Sequence, residues 1–174
     1  MQVLKGELIH LRALEPEDID FLFDTENDTS FWEVSSTQTP FSKHLLENYI
    51  ANSHLDIYEA KQLRLIVADN ISDQPVGMID VFDFNPQHHR AGIGIIIDKT
   101  RQQKGYASEA LTILINYCFT TLQLHQLFAN ITSDNKSSLV LFEKQAFTVV
   151  GTKKEWIHSN GTFKDEILLQ RIRL

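Results

Sequence analysis

The sequence predicts a mixed α/β (α+β) fold: a single domain over residues 1–174, with a central mixed β-sheet of about seven strands flanked by about four helices. Three observations predict it. Runs that alternate apolar and polar residues, or are rich in β-branched ones, recur between runs of helical period along the whole chain. No repeat, linker or low-complexity stretch interrupts that order. The 174 residues, 43% hydrophobic and 22% charged, suffice for one substantial core.

Glu7 to Leu14 (ELIHLRAL) alternates as a half-buried strand should. Glu15-Pro16-Glu17-Asp18 starts a helix, with Pro16 tolerated in the first turn and acids favouring the N-terminus. Ile19, Leu22 and Phe23 give that helix its apolar face. Asp28 to Pro40 is rich in Ser and Thr and reads as irregular, yet it carries Phe31, Trp32 and Glu33. Ser42 caps a second helix with Leu45, Leu46 and Ile50 facing inward. Gln62–Asp69 and Val76–Phe84 form a hairpin around the turn Ile71–Gln74, and a strand beginning near Arg90 extends the sheet. After a central helix come a strand at His125–Thr132, a short helix at Asn135–Gln145 and a strand at Phe147–His158. Asn160-Gly161 supplies the positive φ angles of a tight hairpin, and Thr162–Leu174 closes the sheet.

The chain is organised around Arg90 to Leu111, RAGIGIIIDKTRQQKGYASEAL. Ile93, Ile95, Ile96 and Ile97 form a β-branched run too short and stiff for a good helix. Asp98-Lys99-Thr100 breaks it, and a helix opens around Gly105 with Ala107 and Ser108 in its first turn. Ala107, Ala110, Leu111, Leu114 and Cys118 repeat at helical spacing. A helix that opens at a glycine directly after a strand exposes unpaired N–H groups, and its dipole adds positive charge there. Gln102 and Lys104 occupy the same turn. Such a turn can hold a pyrophosphate.

Gln102-Gln103-Lys104-Gly105-Tyr106-Ala107 resembles the Gln/Arg-x-x-Gly-x-Gly/Ala signature of the GNAT N-acetyltransferases, which bind acetyl-CoA. The order of elements is also that family's, which implies a strongly twisted sheet. A second segment, Asn135 to Phe147, is similar to the family's Asn-x-x-Ser/Ala-x-x-x-Tyr-x-x-x-Gly-Phe stretch. The resemblance implies that Gln102, Gln103, Lys104, Gly105, Tyr106, Ala107 and Ser108 wrap the CoA pyrophosphate. It implies that Ile95, Ile96 and Ile97 pair with the pantetheine arm, and that Asn135, Ser138, Phe142 and Lys144 contact the arm as well. Within the family, VGMIDVFDFNPQHHRAGIGIII and TFKDEILLQ look closest to bacterial spermidine/diamine acetyltransferases, with ribosomal-protein alanine acetyltransferases the nearest rival. The implied activity is acetyl transfer from acetyl-CoA to a primary amine, a polyamine or diamine such as spermidine. Alternatives are acetylation of a protein N-terminus or an antibiotic amine, and a catalytically silent acyl-CoA-binding domain.

Two residues depart from the pattern. Phe142 stands where the family has the tyrosine that protonates the departing thiolate, and Ala146 replaces the glycine. A general acid contributes about 10²–10⁴ in rate. A thiol of pKa about 8.5 leaves with only modest help, and water, Tyr106 or Tyr117 could stand in. The reaction also needs a neutral amine. An alkylamine of pKa about 10.4 is neutral in roughly one molecule in two thousand at pH 7, so a carboxylate or a water relay must take its proton. Asp80, Asp83 and Glu33 are the candidates, Glu33 being suited to an ammonium beside aromatic faces. A solvated or structural role competes for each. The carbonyl would be polarised by a backbone N–H of Ile95, Ile96 or Ile97, with Ile96 central.

Composition narrows the field further. A net charge of −7 argues against a nucleic-acid binder and is compatible with a cationic substrate. Cys118 is the single cysteine, which excludes an internal disulfide, and it reads as a small buried hydrophobe. No metal-ligand spacing joins the histidines; His88-His89 reads as a polar loop. Neither a Walker pattern nor a Gly-x-Gly-x-x-Gly fingerprint occurs. With no leader and no apolar run of membrane length, a cytoplasmic protein is expected. The sequence leaves oligomeric state open, a homo-oligomer included.

Overall fold

A computed structural model describes residues 4–174. The first strand, β1 (Ile9–Arg12), is shorter than the alternating run that predicts it. The amides of Glu7, Leu8 and Ile9 instead donate to the carboxylate of Glu109, at 2.9, 2.8 and 2.8 Å. Glu15 and Asp18 form a reciprocal capping box around a 3-10 turn at Pro16–Asp18, which leads into α1 (Ile19–Asn27). Arg12 donates to both Asp18 oxygens at 2.8 and 2.9 Å and ties this helix start to β1.

The stretch expected to be irregular holds a 3-10 turn at Thr29–Phe31 and a one-turn helix, α2 (Trp32–Ser35). Asp28 accepts from the Ser30 amide to start it, and Ser36 at φ +56° ends it. A second short helix, α4 (Ile57–Ala60), follows α3 (Lys43–Ala51); Asp56 caps it and Lys61 at φ +59° stops it. Single turns are too brief to show a period, so the sequence predicts four helices where six form among the described residues.

The remaining elements are β2 (Leu63–Asp69), β3 (Pro75–Asn85), β4 (Arg90–Ile97), α5 (Tyr106–Thr120), β5 (Gln126–Thr132), α6 (Lys136–Lys144), β6 (Thr148–Ser159) and β7 (Thr162–Ile172). Seven strands form one mixed sheet in the order β1-β2-β3-β4-β5-β7-β6. Every neighbouring pair is antiparallel except β4–β5. Asn160 at φ +50° and Gly161 at φ +76° make the β6–β7 turn as expected.

The sheet is buried on both faces near β2 and β3. Leu65, Val67, Ile79 and Val81 join Ala110, Leu111, Leu114 and Cys118 of α5 in one core. Ile66, Ala68 and Met78 point the other way, onto Leu22 of α1 and Leu46 and Ile50 of α3. Alternation along a single strand therefore feeds two cores. Burial pushes the Cys118 thiol up to about 12, so this sulfur is packing and not a nucleophile.

The feature that positions the site lies at the middle of the sheet. β4 and β5 pair only over Arg90–Gly92 with Gln126–Phe128 and then part. β4 runs on to Ile97 against β3 alone, and β5 runs on to Thr132 against β7 alone. At the apex Phe82 lies over Gly92, where any Cβ would overlap its ring. The same ring meets Phe128 edge-on at 5.7 Å.

Candidate active site

Antiparallel pairing decides which backbone groups of β4 face the opening. The amide of Asp98 donates to Val76 of β3 at 2.8 Å, and the register holds without a shift from Gly77–Ile97 to Phe82–Gly92. Backbone groups alternate sides along a strand, so Ile96 and Gly94 are directed to β3. Ile93, Ile95 and Ile97 are directed into the opening. This corrects the expectation that Ile96 offers a free amide: the candidate donors to a carbonyl are Ile95 and Ile97. The Ile97 carbonyl is taken by the side-chain amide of Gln102 at 3.0 Å, which accounts for a glutamine at this place.

Past β4 the chain turns back sharply. Asp98 accepts from the Thr100 amide at 2.7 Å, and Gln103 (φ +60°) and Gly105 (φ +84°) are both left-handed. No side chain caps α5, and its first intrahelical bond runs from the Glu109 amide to the Gly105 carbonyl at 3.1 Å. The amides of Tyr106, Ala107 and Ser108 therefore point out of the helix end. They line a cavity of about 450 Å³, together with Ile95, Ile96, Ile97, Gln102, Gln103, Gly105, Asn135 and Ser138. Arg101 lines it too and is its one charged residue. Sequence reasoning passed over Arg101, although the basic pair Lys99 and Arg101 directly precedes the glycine turn. Lys104 and Lys144 are exposed and line neither this cavity nor its neighbour, so the structure does not bring those two candidates to the site. Free helix-end amides, an arginine and an open strand edge together fit an extended, amide-bearing chain that ends in a diphosphate.

A second cavity, about 400 Å³, fills the gap between the diverging strands. It shares Val34, Ile95, Ile96, Asn135 and Ser138 with the first, so the two meet at the β4 edge. Its lining is acidic: Glu26, Glu33, Asp80 and Glu166 face a single guanidinium, Arg64. Arg64 grips Asp80 through two bonds of 2.7 and 2.8 Å and reaches Glu26 with its third nitrogen. The Tyr49 ring lies 5.7 Å from that guanidinium. Burial opposes the Arg64 charge, but the Asp80 hydrogen bonds and the surrounding carboxylates outweigh it and hold its pKa above the ordinary value.

Asp80 thus lies in the chamber with both oxygens engaged, which suits it to binding more than to taking a proton. Glu33 also lies in the chamber wall, its Oε1 2.8 Å from Lys164 Nζ. Asp83 does not. It sits on a bulge of β3 at φ +47°, where the register slips between Phe82 and Asn85, and is exposed and outside both cavities. Glu26 and Glu166 were missed for a plain reason: they lie on α1 and β7, far in sequence from β4.

Phe142 lines the acidic chamber while 3% exposed, edge-on to Phe147 at 5.1 Å. Neither phenol suggested as its substitute reaches that place. Tyr106 donates to Asp69 at 2.9 Å, and that bond holds its pKa up. Tyr117 lines neither cavity. The hydroxyl-bearing residue at the junction is Ser138, one turn before Phe142 on α6. Ala146 keeps φ +61°, the conformation a glycine would take there without strain; alanine costs about 1–2 kcal/mol.

A family model described as the acetyltransferase (GNAT) domain matches residues 9–148. The chain belongs to the GNAT acetyltransferases. Acetyl-CoA is accordingly its acetyl donor, and the protein is an acyltransferase. Spermidine N(1)-acetyltransferase of Escherichia coli K12 is 25% identical over 162 residues, covering 91% of this chain and 83% of that protein. The Vibrio cholerae enzyme of the same name is 27% identical over 158 residues, 89% and 87% of the two chains. Among solved structures, V. cholerae spermidine N-acetyltransferase in complex with CoA and spermine superposes with a TM-score of 0.87 at 24% identity, over 96% of each chain. A putative ribosomal-protein-serine acetyltransferase of V. cholerae gives 0.75 at 22% identity, over 98% of this chain and 97% of that one. At such identities the structural likeness is one of fold. Among the described residues of this GNAT acetyltransferase, no helix is long and apolar enough to cross a membrane.

Proposed function

We propose that this GNAT acetyltransferase acetylates a primary amine of a polyamine or diamine by direct transfer from acetyl-CoA. The observation that carries the reading is the division of charge between two joined cavities. Four carboxylates border the chamber between β4 and β5, whereas arginine and free helix-end amides border the channel beside α5. A cation and an anion are thereby drawn to opposite sides of one strand edge. The two spermidine acetyltransferases support the same acceptor class.

In this reading an extended chain lies along the open edge of β4 and its diphosphate rests on the first turn of α5, near Arg101. Bound there, acetyl-CoA supplies an activated acetyl group as a thioester. The Ile95 amide, directed into the opening where both cavities meet, donates to the thioester oxygen as negative charge develops on it. Glu166 holds an ammonium group of the acceptor. The reacting amine loses its proton to a carboxylate or a water relay in the chamber and attacks the carbonyl. The sulfur leaves as thiolate, since Phe142 has no proton to give and the thiol pKa is about 8.5.

Replacing Glu166 with Gln tests the acceptor assignment. The side chain is 13% exposed and paired to Lys153 at 2.7 Å. Loss of one charge-assisted contact should raise the KM for a diamine roughly tenfold while the KM for acetyl-CoA stays unchanged. Asp83→Asn, outside both cavities, should match the native enzyme in both constants. A Glu166→Gln enzyme with native diamine KM, or an Asp83→Asn enzyme with a raised one, would mean that the ammonium binds elsewhere.

A further inference from the structure

Lys164 on β7 is paired with Glu33, which lines the acceptor chamber, and with Asp134, the residue before the lining residue Asn135. Its ammonium sits 2.8 Å from Glu33 Oε1 and 2.7 Å from Asp134 Oδ2. Glu33 comes from α2 and Asp134 from the β5–α6 connection, so one cation ties those two segments together beside the chamber. Two carboxylates at such distances are the setting an alkylammonium ligand seeks. A lysine side chain is, chemically, an aminobutyl arm like the end of a polyamine. Glu33 Oε1 is shut off from solvent, with the Lys164 ammonium the cation beside it. Asp134 first, and Glu33 second, hold the Lys164 pKa above its ordinary value, so the arm is charged. The other carboxylates of the chamber have partners as well, Glu26 and Asp80 in Arg64 and Glu166 in Lys153.

We infer, resting on the polyamine or diamine reading above, that Lys164 determines acceptor length by filling the cation subsite between Glu33 and Asp134. A further ammonium of a longer polyamine would need that place. The native enzyme therefore favours a short diamine over a linear triamine, and Lys164 acts as a built-in competitor for the last ammonium. Methionine, uncharged and one atom shorter, leaves the place of the Lys164 ammonium open.

The test compares kcat/KM for putrescine and spermidine in the native enzyme, Lys164→Met, Lys164→Arg and the double variant Lys164→Met with Asp134→Asn. Native enzyme should prefer putrescine. Lys164→Met should raise the spermidine-to-putrescine ratio at least about tenfold, the worth of one charge-assisted contact. Lys164→Arg should keep the native ratio, and Asp134→Asn should remove most of the gain. A native preference for spermidine, or an unchanged ratio in a Lys164→Met enzyme that melts near the native temperature, overturns the inference. If Lys164→Met does not fold, Lys164→Gln is read by the same criterion. If neither native nor variant protein acetylates any amine, the acceptor reading itself has failed. Calorimetric titration with spermidine then decides the Lys164 assignment: tighter binding to Lys164→Met than to native protein supports it, and equal or weaker binding overturns it.

Discussion

Arg64→Ala should lower the melting temperature by roughly 10 °C, the largest stability loss expected from any single change in the site. The guanidinium joins Glu26 of α1 to Asp80 of β3 and lies mostly out of solvent. Removing one partner of a buried pair leaves uncompensated charge and costs about 3–5 kcal/mol. In a chain of this length each 1 kcal/mol shifts the midpoint by about 2–4 °C. The cost also falls on function, because Asp80 and Glu26 would repel across the chamber. The exposed pair Lys43–Asp20, close at 2.6 Å, is the contrast. Lys43→Ala should move the midpoint by no more than about 2 °C, since exposed ion pairs contribute little. Thermal denaturation of the two variants checks both statements, and similar shifts in the two would contradict the role given to Arg64.

Gly105→Val should weaken acetyl-CoA binding by roughly a hundredfold. At φ +84° a β-branched residue is strained by about 1–3 kcal/mol, and a Cβ there would already stand 3.4 Å from Leu8 Cδ1. The turn can relieve that strain only by rotating the peptide that leads into α5. Such a rotation re-aims the Tyr106, Ala107 and Ser108 amides and adds two methyl groups where a diphosphate must approach. Calorimetric titration with acetyl-CoA, alongside a melting curve, separates binding from folding. A folded variant with native affinity would move the diphosphate away from this turn.

The strand, glycine turn and helix end that border the channel were legible because their information is short-range. A β-branched strand, a glycine turn and an apolar helix follow one another within Arg90 to Leu111, and local geometry turns that order into exposed amides. The parity of β4 was not legible. It depends on the Asp98–Val76 bond that starts the ladder with β3, and a slip of one residue would have presented Ile96 in place of Ile95. The acidic chamber was hidden by distance along the chain. Arg64 meets Asp80 sixteen residues away and Glu26 thirty-eight away, a triad no spacing rule reveals. Asp80 and Asp83, three residues apart, fall on opposite faces of a regular strand; a bulge is present at Asp83, and only Asp80 lines a cavity. Phe142 was readable at once as a departure. That Tyr106 and Tyr117 do not replace it required knowing that one donates to Asp69 and the other lines neither cavity.

In the proposed function, an acidic chamber and an acetyl-CoA channel meet at the edge of β4 so that a cationic amine is acetylated there. Thiol release from acetyl-CoA, followed with a thiol-reactive dye, tests it most directly. The acceptors to compare are putrescine, spermidine, an aminoglycoside and a peptide that begins with alanine. Turnover with the diamine and the polyamine should stand well above that with the peptide or the aminoglycoside. Turnover confined to the peptide, or thiol release that no amine accelerates while acetyl-CoA still binds, would contradict it.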